Sequence, residues 1–270
     1  MATALPEDDI TGKWIMVAIE AAGISDVGRR RKKNEDSFLV DHRQKLYIVA
    51  DGMGGHKAGD VASQLTVDII KRHMDENSDG MGHGATDLSR APSAESNPVV
   101  TGIQLANQGI YQSSQKDKRY SGMGSTVSVV HFSGDFLTAA NVGDSPIYLI
   151  HKGAIATAYE PHTVMDERQV IDPDGTEDIE EKYRHMLTRA VGTRKAVVPA
   201  VRVMKCSRGD RLVICSDGLS NKVSQEEIGD IAGKYQPDNA CQFLVDLANE
   251  RGGSDNITVI ALKVASVNSG

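Results

Sequence analysis

Nine short segments rich in Val and Ile constrain this chain's fold more than any other feature. They cover 14–24, 36–41, 45–50, 124–133, 136–142, 147–151, 201–205, 210–216 and 256–264, and turn residues bound most of them. Helical spacing is scarcer. Val61, Leu65, Ile69 and His73 or Met74 recur at helical intervals within 57–76, and a second helix is expected over 98–116. A third, over 237–253, places Phe243, Leu244, Leu247 and Ala248 on one face before a glycine stop. Strands joined by short turns, with helices grouped apart, favour an α+β sandwich over a doubly wound parallel sheet. Hydrophobic residues make up 40% of the chain and aromatics only 4%, so its core is built from Val, Ile, Leu and Ala. Residues 77–98 have no period and no core residues, which predicts a mobile surface loop.

The acidic residues carry the chemistry. The stretch EDSFLVDHRQKLYIVAD (35–51) is nearly symmetric about its polar centre HRQK; folded as a hairpin, it sets Asp36 opposite Asp51 at the end away from the turn, with Glu35 beside them. Late in the chain, RLVICSDGL ends a strand at Asp217 and GGSDNITVIAL begins one at Asp255. If those strands run antiparallel, the two acids fall on one edge. Carboxylates gathered there repel by several kcal/mol unless cations sit between them. No His or Cys cluster accompanies them, so hard divalent ions with oxygen ligands, Mg²⁺ or Mn²⁺, are the expected partners. Gly52, lacking a Cβ, would let its own backbone carbonyl approach such an ion. A single Asp at a strand end is ordinarily a turn residue. The weight lies in the ordered set NED, ADGMGG, GDS, SDG and GSDN.

With SDVGRRRKKNEDSF, VADGMGGHKAGDVAS, GMGSTV, ANVGDSPIYLI, LTRAVG and VICSDGLSNKVSQEEI in the same order, the chain resembles the metal-dependent PPM (PP2C-type) protein serine/threonine phosphatases, bacterial-style single-domain members in particular, from about Ile15 to Val264. The resemblance implies a single domain over 1–270 in which two antiparallel β-sheets pack together with helices outside them, an α-β-β-α sandwich, with a flap over about 153–195. It implies two tightly held Mn²⁺ or Mg²⁺ ions and a third, weaker one. By position, Asp51 bridges both tight metals, Asp217 and Asp255 hold the first, and Glu35 with the Gly52 carbonyl serves the second. Asp36 holds a metal-bound water, Asp144 serves the third ion with Asp217 shared, and Arg31 binds the phosphate. The implied reaction is hydrolysis of phosphoserine and phosphothreonine by a metal-bridging hydroxide attacking phosphorus in line. The implied partners are phosphoproteins made by Ser/Thr kinases, and the chain is expected to act as a monomer.

Three departures stand out: Pro146 replaces the usual arginine after GDS, Met53 stands where many eukaryotic members carry histidine, and 77–98 is an addition. None removes an implied ligand. The formal charge of −7 argues against a general nucleic-acid binder. RRRKK (29–33) is therefore read as one phosphate arginine within a solvated face. GMGS (122–125) reads as a packing turn, and DPDGTEDIEE has its glycine misplaced for a calcium loop and is assigned to the flap. His56 and His162 are read as surface or water-holding groups, and Cys215 as a buried, inert thiol. Three cysteines without a CxxC pair fit a reducing compartment. With no apolar leader and no run near the ~20 residues of a membrane span, a cytoplasmic protein is expected. Two rival readings remain: a catalytically dead relative used as a binding module, and a two-metal hydrolase acting on small phosphate esters or nucleic acid.

Overall fold

The computed structural model describes residues 15–54, 58–80, 97–158 and 190–269. One sheet has the order β1-β11-β10-β7-β8, built from Ile15–Asp26 (β1), Ile257–Ser269 (β11), Arg211–Cys215 (β10), Ile147–His151 (β7) and Ala154–Thr157 (β8). The other has the order β2-β3-β5-β6-β9, from Asp36–Asp41 (β2), Leu46–Met53 (β3), Val127–Ser133 (β5), Phe136–Val142 (β6) and Ala200–Lys205 (β9), with the two-residue β4 (Gly124–Ser125) pairing the end of β3. Every pairing is antiparallel.

The central strands are apolar throughout because both of their faces are covered. In β3, Leu46, Ile48 and Ala50 face the helical layer of their sheet, while Tyr47 and Val49 face the opposing sheet. In β10, Leu212 and Ile214 enter that same inter-sheet core while Val213 and Cys215 face the other helical layer. Three stacked cores result, and the α-β-β-α sandwich is the observed architecture.

Helices α1 (Gly59–Gly80) and α2 (Pro98–Lys116) cover the β3 sheet. Asn97 caps α2 by accepting from Val99 N, with Pro98 in the first turn. The wholly buried face of α1 is Ala62, Thr66, Ile70 and Met74. The stripe of Val61, Leu65 and Ile69 lies one residue round from it, partly buried. The cause is α2: its Gly109 leaves room for Ile69, whose Cδ1 lies 2.9 Å from where a Cβ would stand. The helical turn α3 (Asp217–Ser220), α4 (Gln225–Lys234) and α5 (Pro237–Glu250) cover the other sheet. Phe243 of α5 turns outward, 45% exposed, and the buried face runs through Ala240, Cys241, Leu244 and Ala248.

Several boundaries differ from the sequence reading, among them that of β11, which runs on to Ser269. The loop expected from residue 77 begins later, because α1 continues to Gly80. The flap expected from 153 gives up its start to β8, which pairs with β7, and its end to an isolated bridge between Val191 and Ser125. The strand expected over 124–133 is divided at Thr126 into β4 and β5. Residues 81–96 and 159–189, with His56, His162 and DPDGTEDIEE, lie outside the described residues.

Candidate metal centre

Five segments meet at one end of the sandwich: the β1–β2 loop, the end of β3, the β6–β7 turn, the end of β10 and the start of β11. They line a cleft of about 280 Å³ whose walls include Arg31, Glu35, Asp51, Gly52, Asp144, Asp217 and Asp255. The hairpin register is the expected one, Asp36 directly opposite Asp51. The antiparallel pairing of β10 with β11 likewise brings Asp217 and Asp255 to one edge.

Asp36 lies beneath the cleft and ties the sheets together. Its Oδ2 accepts from Ser216 Oγ at 2.8 Å and Thr258 Oγ1 at 2.7 Å, both from the opposite sheet. Its Oδ1 is buried and receives no donor. Burial pushes this carboxyl up to about 6 against the pull of the two hydroxyls, and Asp217 and Asp255 add to the rise. Asp51 is raised further by burial and by Asp36, Asp217, Asp144 and Asp255 around it. Its backbone is held by Thr126, which accepts from Asp51 N at 3.0 Å and donates to Asp51 O at 2.8 Å. Asp217 opens α3 with its carboxylate against that of Asp51; burial and Asp255 raise it. Asn221 Nδ2 reaches Asp217 Oδ2 at 3.2 Å, and Asp217 Oδ1 is a second buried oxygen without a donor.

The two DG pairs have a packing cause. A Cβ on Gly52 would stand 2.0 Å from Gly59 O, and one on Gly218 would stand 1.9 Å from Asn256 O. Each glycine thus admits a neighbouring backbone, at the start of α1 and of β11 respectively, a second reason for glycine at 52 beside the approach of its own carbonyl. Gly59 is confined in turn, since a Cβ there would stand 2.8 Å from Gly52 O and 2.9 Å from Glu35 Oε1.

Asp144 sits in the β6–β7 turn, which buried polar groups hold in place. Ser145 Oγ meets Thr126 Oγ1 at 2.7 Å, and Ser145 O accepts from Asn141 Nδ2 at 3.0 Å and from Ser128 Oγ. Pro146 is buried in the same turn, its carbonyl accepting from Cys215 N at 3.1 Å. Arg31 Nη2 donates to Asp255 Oδ2 at 2.7 Å, and this bond raises the guanidinium's pKa.

Asn256 was not among the expected site residues, yet it positions much of the site. Its Oδ1 accepts from Glu35 N at 2.9 Å, and its Nδ2 donates to Val27 O and Lys33 O at 3.0 Å each. One buried amide therefore fixes the loop that carries both Arg31 and Glu35. The only signal in the sequence was its place after Asp255 in GSDN.

The donor set fits hard divalent cations: oxygens only, two of them buried without a donor, in a field of like charge. Among the described residues, no three acidic, His or Cys side chains already stand as a closed ligand set. Asp255 is engaged by Arg31 instead. Glu35, Asp51, the Gly52 carbonyl, Asp217 and Asp255 are the groups that would hold the ions.

An α-β-β-α sandwich with such a cluster at one end defines a metal-dependent phosphoprotein phosphatase. The fold is shared with the catalytic domain of the serine/threonine protein phosphatase PstP in complex with two manganese ions (TM-score 0.77, 29% identity, covering 93% of this chain and 100% of that one). It is shared too with the serine/threonine phosphatase Stp1 from Staphylococcus aureus (TM-score 0.79, 28% identity, 92% and 96%). In sequence, the chain is 35% identical over 243 residues to a putative protein phosphatase 2C-type of Streptococcus pyogenes, covering 87% of this chain and 93% of that one. It is 31% identical to PstP of Mycobacterium tuberculosis over 95% of its own length, and spans 47% of that protein. Residues 28–252 match the family model of protein phosphatase 2C, and the chain belongs to that family. Its metals are Mn²⁺ or Mg²⁺.

Proposed function

We propose that this chain hydrolyses phosphoserine and phosphothreonine esters of proteins phosphorylated by Ser/Thr kinases, at the cleft between Arg31 and Asp217. The observation that carries this reading is the crowding of five carboxylates in one cleft with the Arg31 guanidinium, with a buried, donorless oxygen on Asp217. When bound, divalent ions at such a site acidify a coordinated water for attack on phosphorus and offset phosphoryl charge. The residues supply the rest. Glu35, Asp51, Asp217, Asp255 and the Gly52 carbonyl would hold the ions, Asp144 with Asp217 would hold a weaker third, and Asp36 would hold a metal-bound water through Oδ1. Arg31 orients the phosphoryl group. Met53, in the cleft wall, has no proton to give the leaving oxygen. The test is phosphate release from a phosphothreonine peptide with Mn²⁺, against EDTA and against Asp217→Asn. Undiminished release under either challenge would exclude the reading.

A further inference from the structure

Five consecutive cations, Arg29 to Lys33, lie in the loop that brings Arg31 to this cleft, and all five are exposed. Arg31 is engaged with Asp255, and Lys33 Nζ lies 2.6 Å from Asp60 Oδ1. The side chains of Arg29, Arg30 and Lys32 make no ion pair or hydrogen bond among the described residues. Their backbone, in contrast, is fixed. Arg29 N and Arg30 N donate to Gly253 O at 2.8 and 3.2 Å, and Asn256 holds Val27 O and Lys33 O. Gly28, at φ 78°, would carry a Cβ 2.1 Å from Asp255 O, so the loop is pressed against the segment bearing a metal ligand.

A charge run on a surface is ordinarily just solvated. Here three cations sit on an anchored platform beside a reaction centre, on a chain whose formal charge is −7. Of the five cations, only Arg31 lines the cleft. Arg29, Arg30 and Lys32 are left to meet what flanks a phosphoryl group bound there. They stand one or two residues from Arg31, within about 7 Å along the backbone, inside the Debye length of ~8 Å at physiological salt. An extended peptide advances about 3.3 Å per residue, so the two or three residues beside a phosphoresidue at Arg31 come within reach of these cations.

We infer that Arg29, Arg30 and Lys32 select the substrate, favouring phosphoresidues flanked within about three positions by Asp or Glu. This rests on the phosphatase reading and adds a substrate class to it. A membrane surface or nucleic acid would face the acidic remainder of the chain over a wide area, whereas a short acidic peptide meets only this basic loop.

The test uses the full chain with saturating Mn²⁺ and phosphothreonine peptides differing only in having Asp, Ala or Lys at the flanking positions. A triple variant, Arg29→Ser with Arg30→Ser and Lys32→Ser, is assayed beside the wild type, its folding checked by thermal melting. The wild type is expected to favour the Asp over the Lys peptide by about tenfold in kcat/KM, mostly through KM, from three exposed pairs. The preference should shrink at high salt and vanish in the triple variant, with turnover of p-nitrophenyl phosphate unchanged. Equal wild-type rates on the Asp and Lys peptides, or an undiminished preference in the triple variant, would overturn the inference. So would a flat peptide ranking with wild-type, but not triple-variant, binding to phosphatidylserine vesicles or single-stranded RNA. If the wild type releases phosphate from neither the peptides nor p-nitrophenyl phosphate, the phosphatase reading fails first and the inference with it.

Discussion

Arg31 Nη2 lies 2.7 Å from Asp255 Oδ2, so a guanidinium suited to phosphate is held by a carboxylate suited to a metal. A divalent ion and Arg31 compete for Asp255, and an ion that takes the carboxylate leaves the guanidinium facing the substrate. Losing a charge-assisted contact of about 1.5–3 kcal/mol corresponds to roughly tenfold or more in binding. Arg31→Ala is therefore expected to raise KM for an alanine-flanked phosphopeptide by at least about tenfold, without weakening Mn²⁺ binding. Arg31→Lys should recover only part, having no planar fork. Steady-state kinetics with a Mn²⁺ titration measure both; weaker Mn²⁺ binding in Arg31→Ala would show that the pair organises the metal site.

Asp51 and Asp217 place two carboxylates against each other, both raised by burial. Asp51→Asn or Asp217→Asn keeps the shape and removes a charge that a divalent ion offsets. Phosphatase activity should fall by about 10²-fold or more, while melting in EDTA shows stability equal to or above the wild type because repulsion is relieved. Near-normal turnover in Asp217→Asn would contradict the assignment of the metal ligands.

Asn256 is 5% exposed and makes three hydrogen bonds to the 27–35 loop. Asn256→Ala leaves Glu35 N, Val27 O and Lys33 O to find other partners, at a cost of about 2–4 kcal/mol. It should also loosen Glu35 and so weaken Mn²⁺ binding, even though Asn256 itself is no ligand. Urea unfolding and calorimetric Mn²⁺ titration separate the two effects. Lost stability with unchanged Mn²⁺ affinity would mean that Gly253 alone holds the loop.

These residues show where sequence reading reaches and where it stops. The Asp36–Asp51 register was legible because side-chain alternation and the polar HRQK turn leave one hairpin alignment. The shared edge of Asp217 and Asp255 followed from two strand ends and a single choice of direction. Helix α4 was overlooked although Ser224 and Glu227 form a capping box around its start, a local signal available in SQEE. The buried face of α1 was not legible in the same way, since Gly109 on another helix sets its rotation. Gly218 and Asn256 belong to that second kind: their reasons are backbone atoms distant in sequence.

The pH dependence of metal stabilisation follows from the same carboxylates. Asp36 is raised to about 6, and Asp51 and Asp217 are raised as well, all three by burial first. An acid whose folded pKa exceeds its unfolded value, near 4, costs stability as pH rises from there through the folded pKa. Asp36 alone accounts for about 2–3 kcal/mol over that interval in metal-free protein. Half-buried His131, lowered to about 4, acts oppositely between that value and about 6.5, but it pairs with Leu46 at the far end of β5. Glu227, held at about 2, changes only at lower pH. The difference in melting temperature between Mn²⁺ and EDTA cancels His131, and it should grow from about pH 5 to 7.5. A difference that stays flat over this range would show that these carboxyls do not meet the metal.

Asp144 stands apart from the other acids. It lies in the β6–β7 turn, whereas the remaining ligands come from the β2–β3 hairpin and the β10–β11 edge. An ion held there has fewer protein oxygens and more water, so it binds weakly. Ser145, Thr126, Ser128 and Asn141 hold the turn through buried hydrogen bonds. Asp144→Ala should therefore leave folding and two tightly bound metals intact, yet slow turnover of phosphoprotein by about tenfold or more at moderate Mn²⁺. Calorimetry counts Mn²⁺ bound at low and high concentration, and kcat is measured on the same samples. Normal turnover at saturating Mn²⁺ would mean that a third ion plays no catalytic part in this chain. Loss of the two tight ions as well would move Asp144 into the central site and overturn the division of the acids argued here.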